Sequence, residues 1–423
     1  MAEPPQHTDP QIAAQSGALV GAQAQGWRWW LQFPAPLREL AIVRLVAGFG
    51  AGGVLYLTPM VFHRLQFSAS AVGLGLAVAA LVGTLARFAS GALLDRGRSC
   101  GIPVLLAGLS GACGDLLLLS ASHLPGYIAG QVLLGMAGGL YWPAVELAVP
   151  LCSPPLPSAR GYALVRSADA AGVAGGTLAG AWLAALGQLR GIYLVDIGAV
   201  VLLVTLLLRR PLPAVSAGGG DTSRGRYLPM QLWVRPLLPL LGIALVATAI
   251  PALMQSALPL DLVRGGLARG AQPQHLSALV IWLQLGLLLL VQWPVGQALA
   301  RRPVAVGLGL SLALFSLGAT LLALSALFQQ GMVLVVLAQI PIALGEAAFL
   351  PTSTQAVVEL SPARHGGLAM ALFSQCFALS ALVSPLVAGV LLDWNDHGAW
   401  LWALVAATCL LSLRLVAPIR HPG

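Results

Sequence analysis

Lysine is missing from all 423 residues, so the formal net charge of +8 is carried on arginine alone. A phosphate-binding loop needs a lysine to reach the nucleotide phosphates, and a Schiff base needs a lysine amine; ATP-driven work at such a loop and retinal-type chemistry are both excluded. Charge of either sign is scarce, at 9% of residues against roughly 25% in soluble domains. Cysteine is sparse as well: Cys100, Cys113, Cys152, Cys376 and Cys409 are odd in number and scattered, without metal-type spacing or a disulfide framework. The runs 101–121 and 303–328 lack the apolar/polar alternation of barrel strands, which rejects a membrane β-barrel. The arginines are spread over many short loops rather than gathered on one face, so no nucleic-acid surface is expected. Residues 1–38 are polar and glutamine-rich, without a basic start followed by an apolar core; they read as a cytoplasmic tail and not as a cleaved signal.

Hydrophobic residues make up 58% of the chain. A spanning helix needs about 20 mostly apolar residues, because the hydrocarbon core is about 30 Å thick and each helical residue rises about 1.5 Å. Segments of that kind lie near 39–62, 70–94, 101–121, 125–149, 160–187 and 190–208, and again near 236–260, 274–299, 303–327, 331–358, 364–391 and 397–416. The expected fold is an all-α membrane protein of twelve transmembrane helices: a six-helix bundle over 39–208, a cytoplasmic linker over 209–235, a second bundle over 236–416 and a short tail over 417–423. The linker holds Pro211, Pro213, the glycines 218–220 and five arginines, a solvated and flexible composition. About 15 arginines fall on the side of the N-terminus against four (Arg64, Arg190, Arg264 and Arg269) on the opposite loops. By the positive-inside rule both termini are expected in the cytoplasm and the protein in the cell inner membrane. Trp29, Trp30, Trp233, Trp394, Trp400 and Trp402 stand near the expected helix ends, where amphipathic rings favour the interface.

The halves repeat. Residues 91–98, GALLDRGR, align with 296–303, GQALARRP, at an offset of 205; Gln131 and Pro143 align with Gln339 and Pro351 at 208; and 158–160, SAR, resembles 362–364, PAR. Parallel repeats of six helices imply a solute site near mid-membrane between the halves, exposed alternately to each side.

Gly91, Leu93, Asp95, Arg96, Gly97 and Arg98 resemble the loop signature between the second and third helices of the major facilitator superfamily, and the resemblance covers essentially the whole chain. This sequence is one residue shorter than that signature between Arg96 and Gly97. The resemblance implies a monomeric secondary transporter whose first, fourth, seventh and tenth helices line the central cavity. Asp95 would then meet the positive N-terminus of a helix in the other half and latch one conformation, with Gly91 permitting close helix approach; capping and anchoring of its own helix is the plainer reading of Asp95 and Arg98. Gln131 stands where exporters of that family carry an arginine. Gly172, Gly176 and Gly180 at four-residue spacing resemble the exporters' glycine-rich helix five without its proline, and Ser384, Pro385 and Gly389 resemble the same pattern in helix eleven. Small residues at that spacing also serve plain helix packing.

An ionisable group costs at least about 2.5 kcal/mol at the centre of a span, so each calls for a partner or a task. Arg44, Arg87, Glu146, Arg166 and Asp169 fall in the cytoplasmic half of the first bundle, and Arg166 and Asp169 share a helix face where they would neutralise one another. Glu146 is expected to face arginines from neighbouring helices, for structure, gating or proton transfer. Glu346 sits near the middle of helix ten with no other mid-span charge in its half. It reads either as a proton- or cation-coupling group near the solute path, or as a permanently neutral acid bonded to Gln339 or a backbone carbonyl. Asp115 in helix three and Asp196 in helix six are further coupling candidates, from the first bundle, and are expected to meet nearer the outer side. Tyr56, Gln131, Tyr141, Trp142, Gln255, Ser256 and Gln339 are the remaining cavity candidates, each aromatic being equally suited to core packing.

Such a lining suits neutral or amphipathic solutes better than sugar phosphates or dicarboxylates, which call for paired arginines; Arg44 is the exception. The expected function is proton-coupled efflux of a small amphipathic compound. Nutrient uptake by a permease of the same fold and a non-transporting role in assembly of membrane complexes are the competing readings. The histidines are isolated near helix ends and no nucleophile, base and metal-ligand set stands out, so no enzyme, metal or cofactor is expected.

Overall fold

The computed structural model describes residues 30–214, 234–299, 302–361 and 366–420. Trp29, Trp233, the glycines 218–220, Arg301 and residues 362–364 lie outside them, as do most of the N-terminal tail and the linker.

Among the described residues, twelve long helices follow one another. They are α1 (Ala35–Arg64), α2 (Ala69–Asp95), α3 (Gly101–Ser120), α4 (Leu124–Cys152), α5 (Ser158–Ala185) and α6 (Gly191–Arg209), then α7 (Leu238–Arg264), α8 (Gln274–Leu299), α9 (Val304–Ser325), α10 (Met332–Leu360), α11 (Gly366–Asn395) and α12 (Ala399–Ser412). A 3-10 turn, Leu413–Val416, and a last helical turn, Ala417–Arg420, extend α12. Local chemistry sets several ends: the Ser68 hydroxyl accepts from the Ala71 amide at 3.1 Å as an N-cap of α2, and Gly97, Gly187 and Gly265 take positive φ just past helix ends. Among the described residues, eleven helices are long and apolar enough to cross a membrane. The exception, α5, carries Arg160, Arg166 and Asp169 in a glycine- and alanine-rich sequence and packs closely against α1.

The packing pattern repeats with a shift of six. In the first half α1 packs on α5, α2 on α4, and α3 on α4 and α6; in the second α7 packs on α11, α8 on α10, and α9 on α10 and α12. The halves meet through α2 against α11 and α5 against α8, with α1 touching α7. This is the expected pair of six-helix pseudo-repeats. The start of the expected linker is pinned rather than loose: the Cys100 amide donates to the Pro213 carbonyl at 3.0 Å and the Ser99 hydroxyl to the Leu212 carbonyl at 2.7 Å.

The halves are closed at the end where α2 begins and α11 finishes. Gly73 lies on the Pro385 carbonyl and Gly389 on Ala69 and Ser70, approaches that any Cβ would block. Asp393, near the end of α11, accepts from the backbone amides of Ala69 and Ser70 at 2.8 and 2.7 Å and from the Ser70 hydroxyl. Arg264, ending α7, pairs with Asp393 at 2.7 Å and donates to the Leu392 carbonyl at 2.9 Å. At the other end Leu81, Leu85 and Phe88 of α2 are exposed, and an apolar cleft of about 520 Å³ opens between α2, α7 and α11, lined by Leu81, Thr84, Leu241, Leu245, Gln375 and Leu379.

One expectation from end residues is corrected. Trp402 is buried instead of interfacial, and its indole N–H donates to the Asp261 carboxylate at 3.1 Å. Arg269 lies in the loop after α7, as expected, and is buried there: it pairs with Asp261 at 3.0 Å and donates to the Ser325 hydroxyl at 2.6 Å. Trp394 and Trp400 are exposed at their helix ends.

Candidate functional site

Polar groups on the expected lining helices sit beside prolines. Pro341 and Pro351 bracket Glu346 in α10, Pro251 and Pro259 bracket Gln255 in α7, and Pro59 follows Tyr56 in α1. A proline inside a helix removes one backbone hydrogen bond, which is tolerated in a membrane where neighbours or a cavity re-satisfy the freed group.

Glu346 is where this matters most. The only polar contact it makes among the described residues is with Gln284 of α8, whose side-chain N–H stands 3.4 Å from the carboxylate. Gln284 is itself buried, with its amide oxygen unpartnered. No cation pairs with Glu346 among the described residues. Tyr56 of α1 lies against Gln255 and within electrostatic reach of both Glu346 and Asp169. The hydrogen-bond partner of Glu346 is Gln284 and not Gln339: Gln339 is fully buried and donates to the Val335 carbonyl at 2.8 Å. Gln131 is also withdrawn from the cavity, buried beside Tyr127.

In the first half Arg44 is 1% exposed and pairs with Asp169 at 3.1 Å. Its guanidinium stands 4.3 Å from the Trp142 ring centroid and 5.6 Å from that of Tyr141. The sequence pairs Asp169 with Arg166; the structure does not. Arg166 is exposed and lies over the Tyr162 ring at 5.9 Å, because Gly48 and Gly172 let α1 and α5 touch backbone to backbone and bring Arg44 to Asp169 first. Glu146 is half-buried and in no ion pair among the described residues; only its backbone carbonyl is engaged, accepting from the Tyr162 hydroxyl at 3.2 Å. Asp115 and Asp196 do face each other between α3 and α6, with Asp115 fully buried. Ser256 is buried and bonded to the Ala252 carbonyl at 2.7 Å.

Asp95, Arg96 and Arg98 are exposed at the end of α2, and Asp95 makes no hydrogen bond or ion pair among the described residues. A Cβ on Gly91 would meet nothing within 4 Å, so no close helix approach requires that glycine in this conformation. The engaged latch is at the opposite end, on Asp393, which sequence reasoning passed over. A signal was present: a carboxylate at a helix C-terminus opposes its own helix dipole, and Asp393 therefore calls for a partner elsewhere.

The family model of the Major Facilitator Superfamily matches residues 40–312. No curated protein matches the chain. Similar solved structures include a POT family transporter in complex with 5-aminolevulinic acid, at 14% identity and a TM-score of 0.76, covering 92% of this chain and 97% of that one. The nucleoside transporter NupG aligns at 12% identity with a TM-score of 0.73, covering 92% and 99%, and the peptide transporter POT in complex with sulfate at 16% with 0.73, covering 92% and 94%. At these identities the likeness is one of fold.

Proposed function

The chain belongs to the Major Facilitator Superfamily and is a secondary transporter rather than an enzyme, and from that premise we propose that it exchanges protons for a small amphipathic solute, working as an exporter. The observation that carries this reading is Glu346: a carboxyl in the middle of a spanning helix, without a counter-charge among the described residues, next to Gln284 and facing Tyr56 of the other half. A group of this kind is cheapest when neutral and functional when it exchanges its proton. In this reading the cavity carries the solute in one orientation and the proton on Glu346 in the other, and that mutual exclusion yields exchange.

The arginine bias supports placing both termini in the cytoplasm of the cell inner membrane. The end sealed by Asp393 and Arg264 then faces outward, and the cleft between α2, α7 and α11 faces inward. In this reading the structure is the inward-facing state, in which solute enters before the halves rock. The aromatic and amide groups at Tyr56, Gln255 and Gln284 and the apolar cleft suit an amphipathic solute.

Uptake is the second reading. Gly172 and Gly176 lie on the Leu45 and Phe49 carbonyls of α1, so helix packing accounts for the glycine ladder without export. The test uses inside-out membrane vesicles with an acid interior. Addition of amphipathic compounds is expected to raise lumenal pH as protons leave in exchange. Concentrative accumulation of labelled compound by whole cells, with no such rise in vesicles, would replace export with uptake.

A further inference from the structure

Arg44 has more donors than partners. Only its Nη2 reaches Asp169, while Nε and Nη1 are buried without a hydrogen-bond acceptor. The Tyr141 hydroxyl is buried within reach of the guanidinium and makes no hydrogen bond of good geometry. Leaving such donors unmade costs about 1–3 kcal/mol each, a standing cost that an arriving acceptor removes. One carboxylate already present, on Asp169, does not satisfy the guanidinium.

The surroundings define what fits. The guanidinium lies over the Trp142 ring, and Trp142 is 39% exposed while Asp169 is 24% exposed, so the cluster is covered but not sealed. Tyr141 meets Trp142 edge-on at 6.0 Å, fixing both rings. Arg44 lies nine residues into α1, about 14 Å of helix rise, at the end where the halves stand apart.

We propose that Arg44, Tyr141 and Trp142 form a carboxylate subsite, which makes the solute an amphipathic acid with an aromatic or other flat apolar body. Asp169 is the built-in counter-ion that holds the guanidinium while the subsite is empty. The carboxylate takes the free donors of Arg44 and the Tyr141 hydroxyl, and the apolar body lies on the open face of Trp142. This deepens the transport reading and rests on it, and it narrows the amphipathic solute expected from the sequence to one that carries a carboxylate.

The test is calorimetric titration of the purified full chain in lipid nanodiscs with 3-phenylpropionate and its uncharged amide. Charge-assisted hydrogen bonds contribute about 1.5–3 kcal/mol, so the wild type is expected to prefer the acid by at least about tenfold. Asp169→Asn removes the competing anion and is expected to strengthen acid binding further with amide binding unchanged. Arg44→Gln is expected to abolish the preference, and so is the double variant Arg44→Gln/Asp169→Asn, which strands no charge and serves as the folding control. Equal binding of acid and amide by the wild type, failure to bind the acid, or a preference unaltered by Asp169→Asn would each overturn the proposal. Proton exchange with uncharged or cationic compounds alone would leave the transport reading standing and sink this one. Acid binding without proton movement for any compound would do the reverse.

Discussion

Asp261 and Arg269 show what a buried charge costs and how it is kept. Both are essentially inaccessible, and Asp261 also accepts from the Gly398 amide at 3.0 Å and the Trp402 indole. Breaking such a pair from one side leaves an uncompensated charge at a cost of about 3–5 kcal/mol. Asp261→Ala is therefore expected to lower the thermal midpoint of the detergent-solubilised protein sharply, and joint replacement with Arg269→Met to recover a large part of the loss; equal losses in the single and double variants would contradict the pairing. At this scale the sequence is readable where a residue acts alone. Glu346 stands out because its half holds no other mid-span charge, and the structure leaves it without a cation among the described residues. Arg44 and Asp169 were not readable as a pair, since i,i+3 spacing speaks only for neighbours on one helix and favours Arg166. Their union depends on the interhelical approach at Gly48 and Gly172, which no single-helix pattern contains.

The pairing of α1 with α5 is reciprocal. Gly172 and Gly176 of α5 lie on Leu45 and Phe49, while Gly48 and Gly52 of α1 lie on Asp169 and Val173. Small residues let these backbones touch, and van der Waals contact then does what hydrophobicity cannot do inside lipid. A methyl at Gly176 would collide with the Phe49 carbonyl; Gly176→Ala is expected to cost about 1–3 kcal/mol of stability and to slow transport by disturbing the Arg44–Asp169 contact. An unchanged melting curve would show that α1 and α5 yield more easily than this packing allows. Element positions were legible to within a few residues, because membrane length and apolar composition constrain each helix separately. The role of α5 was less so: its low hydropathy marks it as a helix shielded by partners, a property of the bundle and not of the segment.

Across the whole molecule the sealed end and the open end are set by different residues. Asp393 holds the first turn of α2 and the end of α7 together, a carboxylate satisfying helix N-terminal amides. Asp393→Asn keeps the shape and removes the charge, and it is expected to shift the population away from this closure. Spin labels at Gln188 and Gln330, both exposed on the closed end, should then report longer distances by electron–electron resonance in a cysteine-free background; an unchanged distribution would show that the apolar contacts alone seal it. The internal repeat announced two halves and a site between them, but which end is shut is a property of one conformational state and leaves no mark in a single sequence.

The most direct test of the account concerns Glu346. Solute counterflow, which needs no net proton movement, and proton-driven transport are measured side by side in proteoliposomes for wild type and Glu346→Gln. The account predicts that counterflow by Glu346→Gln stays within a few-fold of wild type while proton-driven accumulation disappears. Retention of both activities, or loss of both together, would contradict the assignment of proton coupling to this carboxyl.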